Sequence, residues 1–172
     1  MIEVPFDIQL LKNGDNNVDV TFSDAGGHVS SMILQVEKYT VSTLQNGTFS
    51  DGLSAWQPLS KRGTVAVKAD NAGNNAACIS GSAGLMQMVD MESGRTYRFS
   101  ADVMTEGAGK IKVLIQDIAS GAITEEEFSS TGNYKAISFE FNSTGKQVVC
   151  AIMCEGQNDV AWIDNIVLLP QN

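Results

Sequence analysis

The chain has 172 residues, 43% hydrophobic and 18% charged, with a formal net charge of −9 at pH 7. That length holds one domain with a small appendage, and the acidic balance argues against a nucleic-acid partner, which needs clustered Lys and Arg. No stretch reaches 18 apolar residues, so no membrane-spanning helix is expected, and residues 1–7 lack the basic and apolar regions of a secretory signal.

In chain order, residues 2–11 read as a first strand, with Pro5 favouring an edge. Residues 13–16 (Asn-Gly-Asp-Asn) form a turn cluster. Val18, Val20 and Phe22 alternate with Asp19 and Thr21 in a half-buried strand, and residues 23–27 make a loop. Residues 32–43 form a third strand with apolar side chains on both faces. Three strands in residues 1–44 make a poor independent core. The segment is expected to dock or oligomerise, or else to add strands to the domain behind it.

From Gln45 onward the pattern changes. Residues 64–70, 76–80 and 85–91 read as strands, the last two separated by a turn at residues 81–84. Tyr97, Phe99, Ala101 and Val103 face inward from residues 96–105, leaving Arg98, Ser100 and Asp102 outward. Residues 110–117 leave Lys112, Leu114 and Gln116 outward, and residues 136–142 leave Ser138 and Glu140 outward. Glu125, Glu126 and Glu127 form an acidic loop or edge. Residues 148–155 and 160–169 close the series. Strands at this spacing without a helical period predict an all-β, antiparallel sandwich.

Signals for catalysis are absent. There is one histidine, His28, and no Gly-x-Ser-x-Gly elbow, phosphate loop or dinucleotide fingerprint. Cys150 and Cys154 lie too far apart along one strand to share a metal. With Cys78 they read as buried thiols of a protein made in a reducing cytosol. No catalytic residue is assigned and no enzyme activity is expected.

Five pieces occur in a fixed order: Asn46-Gly47-Thr48-Phe49, Trp56, Gln87-Met88-Val89, Ser93-Gly94-Arg95-Thr96-Tyr97 and Asp164-Asn165-Ile166-Val167. This order resembles the carbohydrate-binding modules of the galactose-binding-domain-like β-sandwich type, over about residues 46–169. The resemblance implies an antiparallel jelly-roll sandwich over residues 45–172, preceded by the β-rich segment 1–44. It also implies a glycan ligand, on the host surface or in the environment. Trp56 is the candidate sugar platform, with closure of the core as the alternative, and Arg98, Asp102, Gln116 and Glu140 are candidate hydroxyl-reading residues. Tyr97 and Trp162 read as core, Tyr134 as structural, and Gln87 as a partner for buried backbone groups. The family often carries structural calcium. Asp164 matches one ligand, while Ser50 and Asn165 stand where acids are usual, so calcium is an open expectation.

Such modules are usually fused to secreted glycanases, yet neither a signal nor a catalytic domain is seen. The setting that reconciles this is a phage virion: a capsid decoration, head-fibre or tail accessory subunit made in the host cytoplasm. It would attach to other virion proteins through residues 1–44, as a homo-oligomer and without membrane insertion. The alternatives are a stand-alone bacterial carbohydrate-binding module accessory to a glycanase and placed outside the cell, or an accessory domain without glycan affinity.

Overall fold

The computed structural model describes residues 14–38, 43–70, 73–106, 109–130 and 132–171, so the strand expected at residues 2–11 lies outside them. The chain divides into a first unit ending at Val41 and a second spanning Ser42–Gln171.

In the first unit, β1 (Gly14–Ser23) pairs antiparallel with β2 (Val29–Lys38) in continuous register from Gly14↔Lys38 to Ser23↔Val29. The turn expected at residues 13–16 is strand from Gly14 on, because those residues find partners on β2. The connecting turn is built by Asp24. Its carboxylate accepts the Gly26 and His28 amides at 2.8 and 2.9 Å, and Gly27 supplies the left-handed φ of 82°. The His28 amide, foremost, lowers the Asp24 pKa.

The second unit holds β3 (Gln57–Ala69), β4 (Asn75–Asp90), β5 (Thr96–Glu106), β6 (Ile111–Asp117), β7 (Ile123–Phe128), β8 (Lys135–Asn142), β9 (Gln147–Cys154) and β10 (Val160–Pro170). Hydrogen bonds run in the order β7-β6-β9-β4-β10-β5-β8, with β3 beside β4. Every pairing is antiparallel.

One strand joins the two layers. Residues 83–90 of β4 pair with β9, and residues 77–80 pair with β10. The reversal expected at residues 81–84 is therefore a bend inside a single 16-residue strand. Gly81 (φ 71°) turns the chain, and a Cβ at Gly63 would strike the Ser80 carbonyl. A Cβ at Gly84 would likewise strike the Ile152 carbonyl of β9. These glycines let backbones approach closely where the β3–β4 ribbon crosses from one layer to the other. Layer A is β7-β6-β9 with the second half of β4 and the start of β3. Layer B is β8-β5-β10 with the remaining halves.

Alternating inward residues from both layers make one core. Leu85, Val89, Ile111, Val113, Ile115, Val148 and Ile152 come from layer A. Ile79, Phe99, Val103, Ile137, Ile163 and Leu168 come from layer B. The three cysteines are free and buried, and burial pushes the Cys150 thiol up to about 12.

The Asn46–Trp56 loop closes one end of this core. Phe49 is fully buried, with its ring centroid 5.7 Å from that of Trp56. Trp56 Nε1 donates to the Asn46 carbonyl at 3.1 Å, and Asn46 Nδ2 donates to the Gly52 and Ser54 carbonyls. Gly47 lies against the irregularity between Asp164 and Val167 of β10, where its carbonyl accepts the Ile166 amide at 2.9 Å. A Cβ at Gly47 would collide with the Ile166 carbonyl.

Candidate functional site

The outward side chains of layer A form a grid fixed by strand register. Leu59, Gly84, Met153, Lys112 and Glu127 make one row across β3, β4, β9, β6 and β7. Gln57, Met86, Ala151, Leu114 and Glu125 make the next, then Met88, Val149, Gln116 and Ile123, and finally Asp90 and Gln147. The strand rise and spacing give this face dimensions of about 20 by 20 Å. Its centre is apolar, and Met88 at 62% exposure is its most open floor residue.

Hollows lie on or at the rim of this face. One of about 450 Å³ is lined by Gln45, Gln57, Met86, Met88, Asp90 and Val149. Another of about 420 Å³ lies over Leu59, Gly84, Met153 and Glu155, where the glycine lowers the floor. A third, about 570 Å³, sits where Asp90 and Gln147 meet Ile118 and Lys146. Together they outline a groove following β4 and β9.

Polar groups fringe the groove. Gln147 Nε2 donates to Asp90 Oδ1 at 2.8 Å. Lys112 Nζ lies 3.2 Å from Glu155 and 3.6 Å from Glu127, and Glu155 above all raises its pKa. Gln87 turns inward and holds Gln45 by both backbone groups, at 2.8 and 3.0 Å, as the sequence led us to expect. Asp117 anchors the far rim. Its buried carboxylate accepts the Ala119, Ser120, Thr144 and Gly145 amides and the Thr144 hydroxyl. These bonds, that of Ser120 foremost, hold its carboxyl far below the usual range and tie the turn after β6 to the turn before β9.

The residues predicted from sequence do not form one site. Trp56 is only 4% exposed; packed on Phe49 with its N–H spent on Asn46, the ring offers no face to a sugar. Gln116 belongs to the layer A groove. Arg98, Asp102, Ser138 and Glu140 lie across the core, on the outer face of layer B, because β5 and β8 belong to that layer. There Arg98 Nη2 pairs with Glu140 at 2.9 Å, and Asp102 accepts from Asn165 Nδ2 at 2.9 Å. Trp162, expected in the core, is half-buried on this same face, because its neighbours Ala161 and Ile163 take the inward positions. Its Nε1 donates to Glu106 at 3.1 Å. Tyr97 is core, as read, and its hydroxyl accepts the Glu92 amide.

Asp164 is 8% exposed and accepts the Asn165 amide at 2.7 Å. Burial first, then the Asp102 and Asp70 carboxylates, raise its pKa. The Tyr134 hydroxyl, buried without a hydrogen-bond partner among the described residues, is pushed up to about 12 by burial and by these same carboxylates. Among the described residues no three His, Cys, Asp or Glu side chains are grouped to hold a metal ion. Calcium also takes backbone carbonyl oxygens, and no role is derived through a metal.

The methionine floor is what sequence reasoning missed. Met86 and Met88 carry the opposite parity to Leu85, Gln87 and Val89. That parity was the available signal, obscured because methionine reads as a core residue.

A family model described as carbohydrate binding domain matches residues 41–160. Among curated proteins, β-porphyranase A of Phocaeicola plebeius is 81% identical over all 172 residues, and the chain spans 24% of that relative's length. Among solved structures, TmCBM61 in complex with β-1,4-galactotriose gives a TM-score of 0.64 at 24% identity, covering 76% of this chain and 99% of that one. The enzymatically active domain of bacteriophage CBA120 tailspike protein 4 gives 0.65 at 12% identity, covering 76% and 22%. At such identities both show the fold alone, an all-β sandwich as expected. The expectation of a phage virion subunit is overturned: the relative matching the whole chain at 81% identity is a bacterial glycanase, and the phage likeness extends only to fold. The expected placement in a virion falls with it. With its sandwich, its ordered motifs and a family match over most of its length, the chain belongs to the carbohydrate binding domain family.

Proposed function

We propose that this chain is a glycan-binding module accessory to a bacterial glycanase, working outside the cell, and that porphyran is its ligand. The observation that carries this reading is the 81% identity, over the whole chain, to part of a β-porphyranase. The module performs no bond cleavage. It holds polysaccharide close to a catalytic domain and raises the local substrate concentration.

The layer A groove is the proposed binding face. Sugar rings present apolar C–H faces and a rim of hydroxyls. Met86, Met88, Val149 and Met153 supply an apolar floor on which flexible thioethers adapt to ring shape. Gln57, Asp90, Gln116 and Gln147 supply donors and acceptors at the edge. A floor without aromatic rings implies modest affinity per contact, since rigid aromatics give large contact area at low entropy cost.

Titration calorimetry of the 172-residue chain with porphyran, and with an unrelated polysaccharide as control, tests the proposal. Met88→Asp places a charge on the floor and is expected to weaken binding about 10-fold or more. Gln116→Ala, losing one hydrogen bond, is expected to cost about 5-fold. Arg98→Ala, on the opposite face, is expected to leave affinity unchanged. A wild-type chain that does not bind porphyran refutes the ligand. A second reading places the glycan on the layer B face, where half-buried Trp162 accompanies Arg98, Asp102 and Glu140. Loss of binding in Arg98→Ala but not in Met88→Asp would select it.

A further inference from the structure

Among the described residues of the second unit, the exposed large apolar side chains are Met88, Ile118 at 48% and Ile123 at 54%. All belong to one end of the layer A face. Met88 and Ile123 terminate the row that runs through Val149 and Gln116, three inter-strand spacings or about 14 Å apart. Ile118 belongs to the next row. Its amide donates to the Gln147 carbonyl at 3.1 Å, which carries the β6–β9 register one residue past Asp117 and sets Ile118 opposite Gln147. That row is then Asp90, Gln147 and Ile118, about 7 Å along the strands from the first. At the other end of the face Leu59 and Met153 are half-buried. Single exposed apolar residues are ordinary, but a group gathered on one patch marks an interaction surface.

We infer that the hollow beside Ile118 is a further sugar subsite, which carries a bound polysaccharide from Met88 across the Asp90–Gln147 hydrogen bond and past the end of β6. This rests on the reading of the chain as a glycan-binding module. The hollow, about 570 Å³, has room for a sugar ring. It shares Asp90 with the hollow of about 450 Å³ at Met86 and Met88, so the two are contiguous. Its lining suits a sugar, with Met91, Ile118 and Ala119 as an apolar wall for a C–H face and Asp90, Lys146 and Gln147 as acceptors and donors for hydroxyls. Lys110 and Lys112 of the same sheet pair with glutamates, whereas Lys146 makes no ion pair among the described residues, which leaves its ammonium to a ligand oxygen. The walls are fixed in advance. Asp117 accepts the Ala119 and Ser120 amides on one side and the Thr144 and Gly145 amides on the other, so the turn bearing Ile118 and the turn bearing Lys146 are held together. A hollow formed before binding loses little conformational freedom when the ligand enters.

The test follows porphyran disaccharide, tetrasaccharide and hexasaccharide by methyl NMR of the whole chain labelled at Ile and Met, which reads weak affinities directly. In the wild type the hexasaccharide is expected to shift both the Met88 and the Ile118 methyl signals, and to bind at least about 10-fold more tightly than the disaccharide. Ile118→Asn removes the apolar wall without adding charge, and is expected to weaken hexasaccharide binding about 5-fold or more, closing much of that gap. The methyl shifts of the wild type stand whether or not a variant folds. A hexasaccharide that moves the Met88 signal and not that of Ile118, or that binds Ile118→Asn as it binds wild type, overturns the subsite and leaves the groove standing. Ile118 shifts that grow with protein concentration in the absence of sugar assign the patch to a second copy and overturn it as well. Failure of every oligosaccharide to move any layer A methyl refutes the porphyran reading and the subsite together.

Discussion

Replacing Trp56 by Ala separates closure of the core from contact with ligand. The indole is 4% exposed and packs on Phe49, which is fully buried, with ring centroids 5.7 Å apart. Truncating a buried Trp costs about 3–5 kcal/mol through lost transfer energy and the cavity left behind. Loss of the Nε1 bond to the Asn46 carbonyl, which keeps the Phe49 amide as a donor, adds about 1 kcal/mol. A total of about 4–6 kcal/mol is a large part of the stability of an ordinary domain. For a unit of this size it corresponds to a fall in Tm of roughly 12–24 °C. Trp56→Phe keeps much of the apolar volume and is expected to cost about 1–2 kcal/mol. Circular-dichroism melts of the three proteins, with porphyran affinity measured below the lowest Tm, make the assay. A Trp56→Ala protein that melts within about 1 kcal/mol of wild type, yet no longer binds glycan, would refute the reasoning and return the ring to the ligand.

Three further outcomes follow from the geometry. Asp117→Asn is expected to lower Tm by roughly 5–10 °C at pH 7. Because the folded-state pKa of Asp117 is depressed, its stabilisation is present above the unfolded value near 3.8 and is lost as pH falls toward the folded value; melts against pH should show the wild-type advantage shrinking below about pH 4. Asp164 carries the opposite sign. Its raised folded-state pKa means that ionisation disfavours the fold as pH rises above 3.8, so Asp164→Asn, which keeps an acceptor for the Asn165 amide, should melt roughly 2–5 °C higher at pH 7 and converge with wild type in acid. A wild-type Tm raised by calcium, with no such response in Asp164→Asn, would instead support the metal. Gly47→Ala should cost about 2 kcal/mol or more in chemical denaturation, because its Cβ meets backbone at Ile166, whereas Gly52→Ala, with open space around it, pays only the strain of its φ of 57°.

The sequence was most readable where alternation decides burial. Tyr97, Phe99, Ala101 and Val103 face inward as their parity predicts, and so do Ile111, Val113 and Ile115. Parity sorts each strand into inward and outward residues but does not say which layer the strand enters. Arg98 and Gln116 are both outward, and they lie on opposite sides of the molecule because β5 pairs with β8 and β10 while β6 pairs with β7 and β9. Glycine misled for a related reason. Gly81 and Gly84 read as a chain reversal, but the local sequence of a tight turn and of a bend beneath a crossing strand is alike. What distinguishes them is a long-range fact, the approach of Gly63 and of Ile152 to that stretch.

The ordered motifs that revealed the family are devices of folding, and this explains why they point away from the proposed binding face. Asn46 organises a loop, Gly47 admits the Ile166 carbonyl, Phe49 and Trp56 close the core, Gln87 holds Gln45, and the Tyr97 hydroxyl pins the turn at Glu92. Each acts inward or at the closed end of the sandwich. The outer face of layer A carries none of these duties. Its floor is open to solvent at Met88, so its chemistry can differ among proteins that share the scaffold. A resemblance carried by scaffold residues can therefore establish a carbohydrate-binding fold while leaving the glycan unspecified. On the proposed binding face, specificity is to be sought in the grid of Gln57, Met86, Met88, Asp90, Gln116 and Met153, where the fold imposes position and leaves chemistry open.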